Sequence, residues 1–308
     1  MSILLISKTK DFKPLKEEIL QQDPELHIEI WPAVRNRKTV QMAVCWKHTK
    51  GALEPFPNLK CIMSYGAGVD HLLHDKSLPE VDICRMVLPS LNDQMADYVL
   101  MMCLILQRKY RNYDRHSSQQ IWNQLEVHTK QELSVGVMGA GQTGTAIAER
   151  LAKNGFTVNT WSNSEHHIPD VRHFAGQLAF HPFLNESHIL VCSLPLTMNT
   201  EGVLNLNTFK ALQKPAYLIN IGRGRHLVEE DLIYALDADI LKEAVLDTLE
   251  TEPLPQNHTF WNRDEIIITP HIAALTNPKE AATLIINNYK RIISGMKPLH
   301  KVDRLKGY

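Results

Sequence analysis

No two cysteines of this chain form a CxxC pair, no apolar run exceeds nine residues, and neither sign of charge dominates. Each lack excludes a class of protein. The five cysteines (Cys45, Cys61, Cys84, Cys103 and Cys192) are odd in number and widely spaced. That argues against a disulfide framework or structural zinc site and suits a reducing compartment. The longest apolar run, Tyr98 to Leu106, falls short of the roughly 20 residues of a membrane span. Met1 to Ile6 is apolar but lacks a basic flank and is followed by Lys8, so it reads as a first strand rather than a signal peptide. With 33 basic and 34 acidic side chains the formal net charge is -1. A nucleic-acid binder usually shows a basic excess, and a disordered chain a high net charge. The expected protein is soluble and cytoplasmic, with no metal, nucleic-acid or membrane partner.

What is present is an ordinary globular composition, 44% hydrophobic and 22% charged over 308 residues. At roughly 150 residues per domain this length makes about two domains. Ser2–Ser7, His27–Trp31, Met42–Trp46 and Lys60–Ser64 read as strands, with a helix over Phe12–Gln22. They predict a small parallel α/β unit. A helix is predicted over Asp93–Arg115, capped by Asn92 or Asp93. Its apolar first half needs a partner surface, and its polar continuation to Lys130 holds Trp122 and no core periodicity. From Leu133 a second alternation begins. Its strands are Ser134–Met138, Thr157–Trp161, His188–Ser193, Ala216–Ile221, Ala244–Asp247 and Ile266–Thr269, and its helices include Thr143–Asn154 and Glu229–Ala238. Pro278–Gly295 is an amphipathic helix. Strands alternating with helices imply parallel sheets covered on both faces.

The strongest local signal is Gly139-Ala140-Gly141-Gln142-Thr143-Gly144. A lone GxGxxG is weak, but this one follows a predicted strand and opens a predicted helix. Glycines there allow a tight turn and bring backbone close to a pyrophosphate at the helix N-terminus. An ordinary strand-to-helix turn is the plain alternative. An enzyme using NAD carries a carboxylate about 20 residues on, at the ribose 2′-hydroxyl. Here the second strand ends Trp161-Ser162-Asn163-Ser164, with no carboxylate until Glu165 and no arginine, though His166 and His167 are near. Small polar groups leave room for a 2′-phosphate, which favours NADPH. NADH remains open if Glu165 or a water serves the ribose.

Three further side chains stand near predicted strand ends, where ligands bind in open α/β sheets: Arg223, Glu252 and His271. A guanidinium can grip a carboxylate bidentately. Singly, each is as readily a surface charge, a loop end or a satisfied polar residue. Together with Ser64-Tyr65-Gly66-Ala67-Gly68-Val69-Asp70, Gln94-Met95-Ala96-Asp97-Tyr98-Val99, Leu194-Pro195-Leu196-Thr197, Asn220-Ile221-Gly222-Arg223-Gly224-Arg225-His226, Leu246-Asp247 and Thr269-Pro270-His271-Ile272-Ala273-Ala274, they form an ordered set. That set resembles the D-isomer-specific 2-hydroxyacid dehydrogenase family over nearly the whole chain, and within it the branch that reduces glyoxylate and hydroxypyruvate.

The resemblance implies two doubly wound parallel-sheet α/β domains with a cleft between them, a Rossmann cofactor domain (96–277) inserted into a flavodoxin-like substrate domain (1–95 and 278–308). It implies NADPH-dependent reduction of glyoxylate or hydroxypyruvate to glycolate or D-glycerate, with His271 as proton donor, Glu252 as its partner and Arg223 as substrate anchor. A carboxylate beside the imidazole favours its charged form, so Glu252 is expected to raise the pKa of His271. The Ala67-Gly68-Val69 turn matches a carboxylate-binding loop, an anion nest of backbone N–H groups, and Trp46 matches a wall of the substrate pocket. A glycine turn and a core tryptophan are the plain alternatives. Cofactor contacts are expected from Gly139, Gly141, Gln142, Thr143, Gly144, Ser162, Asn163, Leu194, Pro195, Thr197, Ile221, Gly222, Asp247 and Ala273. Arg225 reaches the cofactor mouth or is a solvated charge. The long helix and its extension match an element of dimerisation, so the expected assembly is a homodimer. The rival functions are a related NADH-linked dehydrogenase of D-lactate or another 2-oxo acid, and a nicotinamide-sensing corepressor-type binding protein. A formate dehydrogenase is disfavoured because its histidine pairs with glutamine, and a phosphoglycerate enzyme with a regulatory domain beyond position 308 is not expected.

Overall fold

A computed structural model describes residues 1–307. The chain divides into two compact units, Met1–Leu91 with Thr276–Tyr308, and Asn92–Leu275. Both are parallel α/β layers.

The first unit contains β1 (Ser2–Ser7), α1 (Lys13–Gln22), β2 (His27–Ile30), β3 (Val40–Trp46), β4 (Cys61–Ser64), α2 (Asp70–Leu73) and β5 (Asp82–Cys84). Its strand order is β2-β1-β3-β4-β5, all parallel. This is the flavodoxin-like order, whose direction reverses between β1 and β3. Strand residues alternate between the two faces. Leu4, Ile6, Ala43, Cys45 and Ile62 enter one buried cluster, while their neighbours Ile3, Leu5, Met42, Val44 and Met63 are equally buried. Covering both faces explains why these strands read as unbroken apolar runs.

The second unit contains the rest of α3 (Pro89–Gln107), then α4 (Tyr110–Ser118), β6 (Val135–Met138), α5 (Gln142–Lys153), β7 (Val158–Ser162), β8 (Arg172–Ala175), α6 (Phe180–Asn185), β9 (Ile189–Cys192), α7 (Leu206–Lys210), β10 (Tyr217–Asn220), α8 (Glu229–Asp237), β11 (Glu243–Leu246) and β12 (Ile266–Ile268). The helix α9 (Pro278–Ile293) belongs to the first unit, where it packs against α1. The seven-stranded sheet runs β12-β11-β10-β9-β6-β7-β8, all parallel. Read from its other edge this is the dinucleotide-binding order, with its switch point between β6 and β9. Val137, Val191, Ile219 and Val245 enter the core on one face, and Met138, Leu190, Leu218 and Leu246 on the other. The helix α5 buries Ile147, Ala148 and Leu151, and each large aliphatic there contributes roughly 1.5–3 kcal/mol. It ends at Asn154, followed by Gly155 at φ 85, a left-handed position that glycine takes without strain.

The predicted Asp93–Arg115 helix is two helices. The first begins four residues earlier than expected, at Pro89, because proline's fixed φ suits a first helical turn and its missing N–H is not needed there. Ala96, Val99, Met102, Cys103 and Leu106 form its buried stripe, at the helical spacing of three and four. Lys109 then turns into the left-handed region (φ 52) before α4 starts at Tyr110. The strands β5 and β8 were absent from the sequence reading; both are edge strands, and β8 is Arg-His-Phe-Ala. Among the described residues, no helix is long and apolar enough to cross a membrane, and no group of three or more His, Cys, Asp or Glu residues could hold a metal ion.

Candidate active site

Six loops at the carboxyl ends of six neighbouring strands carry the residues singled out in the second unit. Along the sheet they are His271 and Ala273 after β12, Asp247 and Glu252 after β11, Ile221, Gly222 and Arg223 after β10, Leu194, Pro195 and Thr197 after β9, the glycine turn after β6, and Ser162 with Asn163 at β7. Parallel pairing aligns these ends on one edge of the sheet, about 4.8 Å per strand.

The glycine turn fits a dinucleotide phosphate. Gly139 has φ 103, and a Cβ on Gly144 would lie 1.8 Å from the Gly139 carbonyl oxygen. Both positions therefore require glycine for the close approach of helix to strand. Gly141 differs, since a Cβ there would meet nothing within 4 Å, so its backbone faces open space at the start of α5, where N–H groups and the helix dipole favour an anion. Gln142 is exposed at the first turn, and Thr143 Oγ1 donates to Asn92 Oδ1 at 3.0 Å. Ser193 ties the next loop to β6, its Oγ donating to Met138 O at 2.8 Å. Thr200 shapes the Leu194–Thr197 loop, donating to Pro195 O (2.6 Å) and accepting from the Thr197 amide (2.8 Å).

Arg223 sits on a loop built by two buried side chains. Asn220 Nδ2 donates to Arg223 O (3.0 Å), and Asn220 Oδ1 accepts from the Gly222 amide (3.2 Å). His226, fully buried, accepts the Arg223 amide proton at Nδ1 (2.9 Å). Its Nε2 therefore bears the hydrogen, which it donates to Pro195 O (3.3 Å). A Cβ on Gly222 would lie 2.7 Å from His226 Nδ1, and one on Gly224 would lie 1.9 Å from the Leu249 carbonyl carbon. The guanidinium donates from Nη1 to Gly222 O at 2.7 Å. Arg225 pairs with Glu201 (2.5 Å).

Asp247 is almost fully buried and organises the turn that presents His271. Its Oδ1 accepts from Thr269 Oγ1 (2.6 Å) and the Ile272 amide (2.8 Å), and its Oδ2 from the Ala273 amide (2.9 Å). Its carbonyl accepts from the His271 amide (2.9 Å). Burial, with the nearby Asp247 charge, pushes the Tyr98 phenol up to about 12, so it stays protonated and donates to Thr269 Oγ1 (2.6 Å). The turn holds His271 at φ 57, a left-handed conformation uncommon for a side-chain-bearing residue. His271 Nδ1 lies 3.0 and 3.1 Å from the two Glu252 carboxylate oxygens. The Leu249 amide donates to the same carboxylate at 3.3 Å. With Nδ1–H given to Glu252, the atom left for a substrate is Nε2, on a ring with 31% of its side chain exposed.

The remaining candidates form their own group in the first unit, after β3 and β4. Trp46 packs over the loop so closely that a Cβ on Gly66 would lie 2.4 Å from its ring. Its other neighbours are His71, with ring centroids 5.1 Å apart, and Lys10 Nζ, 5.6 Å from the ring centre. Burial and the Lys47 charge lower the Lys10 pKa. Buried Ser64 braces the loop from beneath, donating to Gly68 O (2.7 Å), accepting from the Gly66 amide (3.2 Å) and meeting His71 Nε2 at 3.0 Å. Ala67 is exposed, Gly68 half-buried and Val69 buried.

The supporting residues Ser64, His71, Ser193, Thr200 and His226 were not singled out by the sequence reading. His226 stood inside a recognised motif, where a buried role leaves no signature of its own.

The family model described as D-isomer specific 2-hydroxyacid dehydrogenase, NAD binding domain, matches residues 100–273. The chain is 37% identical over 272 residues to glyoxylate/hydroxypyruvate reductase A of Yersinia enterocolitica, covering 86% of this chain and 87% of that one. It is 33% identical over 314 aligned positions to the protein of the same name from Escherichia fergusonii, covering 100% of both. Among solved structures it is similar to a D-isomer specific 2-hydroxyacid dehydrogenase from Xanthobacter autotrophicus Py2 in complex with NADPH and MES, with a TM-score of 0.96, 34% identity, and 100% and 99% of the two chains covered. It is also similar to an NADPH-dependent glyoxylate/hydroxypyruvate reductase from Sinorhizobium meliloti in complex with NADP and sulfate, with a TM-score of 0.94, 31% identity and 100% of both chains covered. On its sheet orders, its glycine turn and these likenesses, the chain belongs to the D-isomer specific 2-hydroxyacid dehydrogenase family.

Proposed function

We propose that this enzyme reduces glyoxylate and hydroxypyruvate with NADPH. The reading is supported by relatives named for that activity, by neighbours holding NADPH or NADP, and by the chain's own side chains. The observation that carries it is the His271–Glu252 pair, 3.0 Å long, with His271 after β12 and Glu252 after β11, the strands next along the sheet from the β10 end that carries Arg223.

The roles follow from charge. A bound dihydronicotinamide supplies the hydride that reaches the carbonyl carbon. As the carbonyl oxygen gains charge, His271 gives it the proton of Nε2, a general-acid step usually worth 10²–10⁴ in rate. Glu252 fixes the ring through Nδ1 and leaves Nε2 for the substrate. Arg223 keeps its charge at every working pH, grips the substrate carboxylate and steadies the developing alkoxide. Within the first unit, the backbone N–H groups of the Ala67–Val69 loop offer a nest suited to a carboxylate, with the Trp46 ring packed over the loop. Gly139–Gly144 at the start of α5, with Gln142 and Thr143, would hold the phosphates of the cofactor. Leu194, Pro195, Thr197, Ile221, Gly222 and Ala273 would line the rest of the cofactor, and Ser162 and Asn163 would meet its adenosine ribose. Asp247 serves the nicotinamide end chiefly by positioning His271. On this reading Met1–Leu91 with Thr276–Tyr308 is the substrate unit and Asn92–Leu275 the cofactor unit.

We assign a homodimer, because Tyr110, Ile121 and Trp122 expose apolar surface on and after α4. We assign a cytoplasmic setting, because all five cysteines are free and buried. The test of the function is NADPH oxidation by purified protein with glyoxylate or hydroxypyruvate, with glycolate or D-glycerate identified as product. Turnover of lactate-type substrates alone would replace the substrate assignment. Light scattering that returned a monomer mass would remove the dimer.

A further inference from the structure

The strand end that meets the ribose carries an assembly with no part in the hydride or proton steps. In dinucleotide-binding sheets the end of the second strand reads the ribose 2′ position, with a carboxylate for a hydroxyl or an arginine for a phosphate. Here that strand is β7, ending at Ser162. His173, on the neighbouring β8, reaches back across it. Its Nδ1 lies 2.9 Å from Thr160 Oγ1 and its Nε2 3.0 Å from Ser164 O. A carbonyl only accepts, so Nε2 carries the hydrogen. Ser162 Oγ donates to the same carbonyl at 2.8 Å. The ring is thus fixed at both nitrogens, and it meets the ring of exposed His166 edge to face, with centroids 5.5 Å apart. His166 Nε2 stands 3.5 Å from Ser164 Oγ.

The strand's own arginine is engaged elsewhere. Arg172 precedes His173, so its side chain leaves the opposite face of β8. It lies over the Phe174 ring at 4.7 Å and pairs with Glu186. The other charged or titratable groups of this loop are Glu165, His167 and Asp170, all exposed. Among the residues of this loop, the side chains that can carry positive charge are therefore imidazoles.

We infer that His166, positioned by His173, receives the ribose 2′-phosphate of NADPH and sets the preference over NADH. This rests on the reading that the chain uses a nicotinamide dinucleotide. An arginine holds its charge at every pH, whereas histidine changes charge between pH 5 and 8. A phosphate monoester completes its ionisation near pH 6. Above that, the phosphate is close to its full charge, and what distinguishes this loop is the residue type that meets it. NADPH affinity then falls as pH rises through neutrality, and NADH affinity does not.

The experiment is a fluorescence titration of NADPH and of NADH, giving Kd from pH 6.5 to 8.5 for the wild type, His166→Asn and His173→Asn. The expected result is an NADPH Kd that rises about tenfold across the range, the order of a lost charge-assisted hydrogen bond, with a flat NADH Kd. His166→Asn weakens NADPH to the high-pH level and removes the slope. His173→Asn lowers the slope while leaving NADH binding intact, which a loss of folding would not do. An NADPH preference that is independent of pH and survives His166→Asn overturns the inference. So does tighter NADH binding at every pH, although the dehydrogenase reading then stands. Binding of neither cofactor overturns both.

Discussion

Two histidine–carboxylate pairs of equal length occupy different units of this chain. In the first unit His48 Nε2 lies 3.0 Å from Asp75 Oδ2. In the second, His271 Nδ1 lies 3.0 Å from Glu252 Oε1. The first pair has 1% and 4% of its side chains exposed, the second 31% and 24%. Asp75 also accepts from the Ser77 amide (3.0 Å), the Ser77 hydroxyl (2.6 Å) and the Gly51 amide (3.1 Å). Burial alone would raise its pKa, but these hydrogen bonds and that of His48 outweigh burial and hold it at about 2. His48 Nδ1 is sealed from solvent, so that ring has no atom to offer a substrate. His271 is bound through the opposite nitrogen and sits on a left-handed turn at a strand end, with 31% of its side chain exposed. The pair itself therefore does not make a site. What decides is which nitrogen is committed and where the other one faces.

That contrast can be broken by substitution. The largest expected effect is on the exposed pair. Glu252→Gln leaves His271 a neutral partner, and kcat falls toward the 10²–10⁴ loss of a missing general acid while the Tm stays within a degree or two of wild type. A large Tm drop with proportionate activity loss would make Glu252 structural. Asp247→Ala should move both readouts, because it removes three acceptor contacts from the His271 turn. Each buried donor left unpaired costs about 1–3 kcal/mol. Urea unfolding checks the stability and steady-state rates the catalysis. At the buried pair, Asp75→Ala should lower stability by roughly 2–3 kcal/mol and leave kcat within about twofold.

The smallest effect comes from acid. The Asp75 carboxyl has its folded pKa depressed from the ordinary 3.8 to about 2. Its contribution is fully present above about pH 4 and is lost as pH falls through 2. The amount is about 2 kcal/mol, and Asp75→Asn should remove it. Denaturant midpoints of the two proteins measured between pH 5 and pH 2 would converge on acidification; midpoints that keep a constant gap would contradict the assignment.

Much of this was legible in the sequence because buried parallel strands announce themselves. Ile189–Cys192 and Tyr217–Asn220 are apolar on both faces, so their runs needed no tertiary information. The glycine turn was legible because two of its positions tolerate no Cβ. The edge strands were not. Arg172–Ala175 pairs on one side only, so its composition is set by solvent as much as by core, and Asp82–Cys84 is three residues long, too short to show a period, with a bridge to Lys301 on its outer side. The break at Lys109 was hidden because one left-handed residue leaves no pattern. His226 and the His48–Asp75 pair were illegible for another reason. Their meaning lies in partners that folding brings together, Pro195 for His226 and Asp75 for His48, and a lone polar residue has no period. Asp247 was expected at the nicotinamide end, and its three bonds to Thr269, Ile272 and Ala273 add a structural duty that no spacing encodes.

On the proposed roles, His271 donates the proton and His48 does not. The direct measurement is NADPH-linked reduction of glyoxylate by His271→Asn and His48→Asn side by side, with the Tm and NADPH Kd of each. The account predicts that His271→Asn loses 10²–10⁴ in kcat at unchanged Tm and Kd, and that His48→Asn loses stability and keeps its kcat. Near-wild-type turnover by His271→Asn would contradict it.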